Sequence, residues 1–183
     1  MAPAPRNPNE KVSQLHPNCA AVNNILEAAG LPGRVRMLDE AVTTARAAAQ
    51  QVGCPVGAIA NSLIFEAFIA ASVGMREQLG EEVVGTPLLI MTSGAHRVDM
   101  IKVGEHLGVQ LRRASPTFVR EHTGQPIGGV APVGHPKRIH TIIDRALAEF
   151  DELWAAGGIP QAVFPLTYDE LLTLTGGEEA DVG

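Results

Sequence analysis

The chain has 183 residues, 45% apolar and 19% charged, which is one domain's worth of ordinary globular sequence with enough length for a real core. Aromatics are only 4%, so that core has to come from Ala, Val, Leu and Ile. No apolar run approaches the ~20 residues of a membrane span, and a net charge of −6 argues against bulk nucleic-acid binding.

The first segment, "MAPAPRNPNEKVSQ", is rich in Pro and Asn and lacks the apolar stretch of a signal peptide, so residues 1–16 read as a disordered arm. Asn18 is placed to cap a helix over "CAAVNNILEAAG", with Gly30 as its stop. "GRVRML" reads as a short strand, and "DEAVTTARAAAQQVG" as an Ala-rich helix ended by Gly53. The two cysteines, Cys19 and Cys54, have no C-x-x-C spacing and read as free thiols of a cytoplasmic protein.

"GAIANSLIFE" follows as a strand, interrupted by Asn61, which is either a satisfied structural amide or part of a site. The segment from Ala67 to Gly85 reads equally as an extended hairpin or a short helix. "TPLLIMTS" is a buried-type strand, "HRVDMIKVGEHLG" an amphipathic helix stopped by Gly108, and "VQLRRA" a strand. Ser115 and Pro116 open a short helix to about Thr123. "GQPIGGVAPVGHP", with four Gly and three Pro, has to be a loop. "KRIHTIID", "ELWAAGG" and "QAVFPL" are strands, and "TYDELLTLTG" is a helix with a Thr167–Glu170 capping box. The tail "GEEADVG" reads as acidic and loose.

Helices and strands mix without strict alternation, and strands are consecutive near the end. The pattern predicts an α+β fold: one domain at 17–177, a mixed but largely antiparallel sheet with flanking helices, and an acidic tail at 178–183.

The familiar catalytic signatures are absent: no G-x-S-x-G, no G-x-x-x-x-G-K-[ST], no H-E-x-x-H. His135 and His140 do not converge on one ion, so no metal site is indicated. Two segments stand out. In "TSGAHRVD", Thr92–Asp99, a strand turns into a helix whose first N–H groups are able to hold a carboxylate or phosphate; a plain β-α turn fits as well. In "TGQPIGGVAPVG", Gly128 and Gly129 let the backbone approach a ligand, and Pro126, Pro132 and Pro136 stiffen it; a connecting loop is the other reading. Between Arg97 and Arg145 there are eight Lys/Arg against four Asp/Glu, a basic stretch suited to a few phosphates or to an uneven solvated surface.

The ordered set "VGCPVGAIANSLIFE", "LLIMTSGAHRVD", "TGQPIGGVAPVGHPKRIHTIID", "LWAAGG" and "LTYDELLTLTG", roughly Ala45 to Thr175, resembles the YbaK/ProX family of aminoacyl-tRNA editing domains, which are similar to the insertion domain of bacterial prolyl-tRNA synthetase. The resemblance implies a deacylase that cleaves the ester of a mischarged alanyl- or cysteinyl-tRNA(Pro) with neither metal nor cofactor. It implies that Gly128, Gly129 and Pro132 form the loop against the ester, with Asn61 the fourth catalytic position. It implies a substrate pocket from Ser62, Ser93, Gly94, Val98, Thr123, Val130 and Asp144, with Lys137 and Arg138 on tRNA phosphates. The implied partners are the acceptor end of a mischarged tRNA and prolyl-tRNA synthetase, for a monomer or homodimer. One departure matters. The family strand reads Ile-x-Lys-Ser-Leu, and here Asn61 stands at the Lys. Losing a charge-assisted contact costs ~1.5–3 kcal/mol, so a weakly active or non-catalytic binding module is the alternative reading.

Overall fold

The computed structural model describes residues 15–31, 33–69 and 83–183. Of the arm expected at 1–16, residues 1–14 lie outside these, as do residues 70–82 of the undecided segment Ala67–Gly85; His16 belongs to the start of the first helix and 67–69 to a strand. Helix α1 spans Pro17–Ala28, and its cap is His16, whose Nδ1 accepts the Asn18 N–H at 3.1 Å. The cap expected at Asn18 is therefore displaced. Pro17 has no N–H to lose and its fixed φ suits the first helical position, so the helix starts there. The Asn18 amide instead donates to the carbonyls of Gly124 (3.3 Å) and Gly158 (3.1 Å), tying α1 to two loops.

After the two-residue strand β1 (Arg36–Met37), Thr44 caps α2 (Ala45–Val52), which starts later than the Ala-rich run suggested. Strand β2 (Ile59–Ile69) runs three residues past Glu66 and pairs antiparallel with β3 (Thr86–Ser93). Helix α3 (Met100–Leu107) leads to β4 (Val109–Arg113). Helix α4 (Pro116–Thr123) has the expected Ser115 cap, its hydroxyl accepting from Phe118 N–H. Strands β5 (His140–Asp144), β6 (Leu153–Ala156) and β7 (Ala162–Leu166) follow. Helix α5 (Tyr168–Thr175) carries the Thr167–Glu170 capping box.

The acidic tail is not loose. Glu178–Ala180 forms β8 parallel to β5, and Val182 is fully buried. Its carboxylates masked a period-two pattern in which Ala180 and Val182 turn inward. The boundary expected at residue 177 thus falls inside the sheet.

The sheet runs β1-β7-β6-β2-β3-β5-β8, with β4 also on β2. Strand β3 is buried on both faces, which explains its unbroken apolar run. Leu89 and Met91 join Phe164, Leu166 and Leu171 in one core, while Leu88 and Ile90 join Phe65, Ile142 and Val103 in another. A third cluster, Val42, Ala48, Ile59 and Trp154, seats α2.

The 124–136 loop is pinned from inside. Gln125 is buried; its Oε1 accepts the Ala131 N–H at 2.7 Å and its Nε2 donates to the Val133 carbonyl at 3.3 Å. Gly128, at φ +85°, completes a turn in which Gly129 N–H donates to the Pro126 carbonyl at 3.0 Å. Gly129 presses on the β6–β7 connection: a Cβ there would lie 2.4 Å from the Ile159 backbone, whereas one at Gly128 would find nothing nearer than 3.6 Å. Gly129→Ala is therefore expected to lose about 2–3 kcal/mol by overpacking. Gly128→Ala is expected to lose about 1 kcal/mol of left-handed strain. Urea midpoints measure both, and the reverse order would refute this packing.

Arg34 grips Glu170 with both guanidinium nitrogens, at 2.6 and 3.1 Å. That hydrogen bond, against a smaller cost of burial, holds the Glu170 carboxyl below the usual glutamate range. The folded state thus binds this proton less readily than the unfolded one. The contribution is complete above the ordinary glutamate range and fades as pH falls through the lowered value. Glu170→Gln keeps the capping geometry and is expected to flatten the acid limb of stability against pH, read from urea midpoints between neutral and acid buffer.

Candidate functional site

Strand β2 has β3 along one side, from Ala60 to Ala67. Two strands share its other side: β6 runs parallel at Ile59 and Ala60, and β4 runs antiparallel from Phe65 to Ile69. Between them, on this side, Asn61–Ile64 has no strand partner among the described residues. A cleft of about 620 Å³ opens at this divergence, and every residue from Ile59 to Phe65 lines it. Neighbouring residues of a strand point to opposite faces, so the cleft takes in both.

The backbone orientation follows from one bond. Gly94 N–H donates to the Ile59 carbonyl at 2.8 Å, one step beyond the Ala60–Ser93 pair. Backbone groups of alternate residues turn the same way. Ile59, Asn61 and Leu63 therefore turn theirs to β3, and Ser62 and Ile64 turn theirs toward the gap. The Ser62 hydroxyl lies 3.2 Å from the Met91 sulfur. The half-buried Asn61 amide, by contrast, has no hydrogen-bond partner among the described residues. A polar group left open on a cleft wall is a candidate for ligand contact.

Asn61 pairs across the ladder with Thr92. The Thr92 hydroxyl is 3.3 Å from Oδ2 of Asp144, at the end of β5. Asp144 is only 2% exposed. Its Oδ2 accepts Ser93 N–H at 3.1 Å and meets His96 Nδ1 at 3.0 Å, while Oδ1 accepts Ala146 N–H at 3.1 Å. These donors offset the cost of burying the carboxylate. His96 itself lines the cleft.

The residues named from the sequence separate into three groups. Asn61, Ser62, Val98, Gly128 and Val130 line the cleft. Ser93, Gly94, Thr123, Gly129 and Asp144 do not line it and are engaged with the protein: Ser93 Oγ donates to the Gly57 carbonyl at 2.8 Å, and Thr123 Oγ1 to that of Val119 at 2.7 Å. A Cβ on Gly94 would lie 2.3 Å from the Val56 carbonyl oxygen. Pro132, Lys137 and Arg138 line a separate cavity of about 420 Å³ beside the end of α5, where Arg138 reaches the Gly176 carbonyl at 3.4 Å. A cation there suits a helix C-terminus.

Two local expectations change. Helix α3 starts at Met100, and the Ile101 and Lys102 N–H groups go to Asp99 Oδ1 at 3.0 and 3.1 Å. The helix start after "TSGAHRVD" is thus closed by its own cap. In the glycine loop, the Gly129 and Ala131 N–H groups are already used, whereas those of Ile127, Gly128 and Val130, the loop residues that line the cleft, have no acceptor among the described residues. Sequence reasoning missed Arg113, at the end of β4, which lines the cleft along with Arg97. Neither arginine has an acid partner among the described residues. In the sequence Arg113 counted only as one of the eight cations of the basic stretch from Arg97 to Arg145, with nothing to place it at the site.

Residues 39–174 match the family described as "Aminoacyl-tRNA editing domain". The chain is 30% identical over 128 residues to the uncharacterized protein YwhH of Bacillus subtilis (strain 168), covering 70% of this chain and 72% of that one. It is similar to a crystal structure described as a "putative trans-editing enzyme for prolyl tRNA synthetase", with 39% identity and a TM-score of 0.78 over 92% of this chain and 98% of that one. It is also similar to the crystal structure of hypothetical protein APE2540, with 28% identity and a TM-score of 0.74 over 88% and 98%. With the match spanning most of the chain and the neighbours sharing both fold and sequence, the protein belongs to the YbaK-like family of aminoacyl-tRNA editing domains.

Proposed function

We propose that this protein is a deacylase that hydrolyses the ester of a mischarged tRNA, of the alanyl- or cysteinyl-tRNA(Pro) class. The observation that carries the reading is the cleft at the β4–β6 divergence. It gathers an unpartnered Asn61 amide, the Ser62 backbone and the Gly128 loop around one space. An aminoacyl ester is already activated, so the protein's task is to hold its carbonyl, stabilise the oxyanion and admit water. The open N–H groups of Ser62, Gly128 and Val130 are the donors for that oxyanion. The prolyl system is supported by the 39% identical trans-editing neighbour, and prolyl-tRNA synthetase is the companion this reading implies.

The charge that Asn61 does not carry is supplied at the rim. Arg97 and Arg113 both line the cleft and suit the phosphates of the acceptor end. Lys102, the next cation along the chain from Arg97, does not line the cleft, and its Nζ donates to the Gly183 carbonyl at 2.6 Å. Lys137 and Arg138, beside the second cavity, are left for more distant phosphates.

The test is a panel of alanyl-, cysteinyl- and seryl-tRNA(Pro) with micromolar protein. At least one ester is expected to disappear well above the buffer rate, and stable esters throughout would sink the proposal. Asn61→Lys belongs in the same panel. The deacylase reading expects the wild type to stay within about ten- to a hundredfold of that variant, the worth of one charge-assisted contact. A silent wild type with an active Asn61→Lys would favour the binding-module reading instead. Arg97→Ala and Arg113→Ala are each expected to raise KM about tenfold with kcat little changed.

A further inference from the structure

We propose that His96, held by Asp144, is the general base that activates water in this cleft; the inference rests on the deacylase reading above. Among the residues that line the cleft, His96 is the single side chain with a basic lone pair to offer; the other cationic ones are Arg97 and Arg113, which stay protonated. Its Nδ1 lies 3.0 Å from Oδ2 of Asp144. Asp144 is buried and already accepts the N–H groups of Ser93 and Ala146, an arrangement that suits a carboxylate. A carboxylate oxygen only accepts, so the proton of the neutral imidazole sits on Nδ1 and the lone pair on Nε2. Nε2 has no partner among the described residues, and the side chain is 43% exposed.

The same carboxylate oxygen is 3.3 Å from Thr92, the cross-strand partner of Asn61. Directly opposed side chains stand about 5 Å apart at Cβ, so one small cluster joins the base to the strand that holds the open amide. The pairing follows the general logic of a base oriented by a third group.

The step balances without a cofactor. Water attacks the ester carbonyl carbon while His96 Nε2 takes its proton, and the carbonyl electrons move onto oxygen. The intermediate collapses, the bond from the carbonyl carbon to the ribose oxygen breaks, and Nε2 returns its proton to that oxygen. The products are the free amino acid and the tRNA hydroxyl.

The experiment uses whichever charged tRNA the wild type cleaves, under saturating conditions. His96→Ala is expected to lose about 10²–10⁴-fold in kcat with KM within a few-fold, and added imidazole is expected to restore activity saturably. His96→Gln keeps a side chain able to reach Asp144 and is expected to fold with a wild-type thermal midpoint, to be as slow as His96→Ala, and to be insensitive to imidazole. Wild-type kcat in His96→Gln, or a loss in His96→Ala that imidazole leaves unrestored, overturns the assignment while the deacylase reading stands. A wild type inert on every charged tRNA overturns both.

Discussion

Strand β2 cannot satisfy two neighbours of opposite direction along one edge. Strand β6 reaches its first two residues in parallel, and β4 takes its last five antiparallel. The two have to part between Ala60 and Phe65, and a strand that is otherwise central becomes an edge for four residues. Backbone groups turned into that gap need a partner, because leaving them dry costs as much as a lost hydrogen bond. Inside a domain this size the available partners are water or a ligand. The cleft is thus a consequence of topology rather than a pit cut by missing side chains. It also explains why Asn61 is tolerated in a strand: its neighbours on that edge are absent.

Asp144 carries the second constraint. It ends β5, but its acceptors hold the end of β3, the turn after it and the start of the 3₁₀ segment Arg145–Glu149. One buried carboxylate thereby fixes the exit direction of the chain at Ser93, and with it the place of His96 and Arg97 on the cleft wall. On the far side, Gln125 does the same work for the glycine loop with a neutral amide. Both walls are set by buried polar groups that hold backbone groups from more than one segment, and such groups specify one geometry because any shift leaves them unpaired.

What the sequence made legible was local. The Ser115 cap, the Thr167–Glu170 box, the glycine helix stops and the doubly buried β3 are each decided within a few residues, and each was found where it was expected. The α+β class followed from element order, and the family from ordered motifs. The failures have one physical cause, competition from partners distant in sequence or from a stronger neighbour. Pro17 outranked Asn18 as a helix starter. The tail reads as solvated until β5 offers it an edge. The α3 anion site disappears because Asp99 caps its own helix. Of the expected site, Asn61 and Ser62 on β2 meet Val98, Gly128 and Val130 at the cleft. Arg113 joins them only through the β2–β4 pairing, which no local pattern encodes.

The position of charge separates this cleft from that of the resembling enzymes. A lysine at residue 61 would stand on a half-buried strand, where its ammonium must be partly desolvated before substrate arrives. Asn removes that cost and the charge together. Arg97 and Arg113 are exposed, so their fields are weakened by water and salt: a unit charge at 4 Å is worth about 1 kcal/mol in bulk solvent against about 4 near a protein surface. Such charges act over distance on phosphates more than at contact on a carbonyl. If the cleft is the proposed deacylase site, the trade moves electrostatic work from the reacting centre to the capture of the acceptor end. On that proposal the chemistry is left to hydrogen-bond donors and a base, and a cleft of that kind needs the open Ser62 backbone more than a cleft with its own cation does.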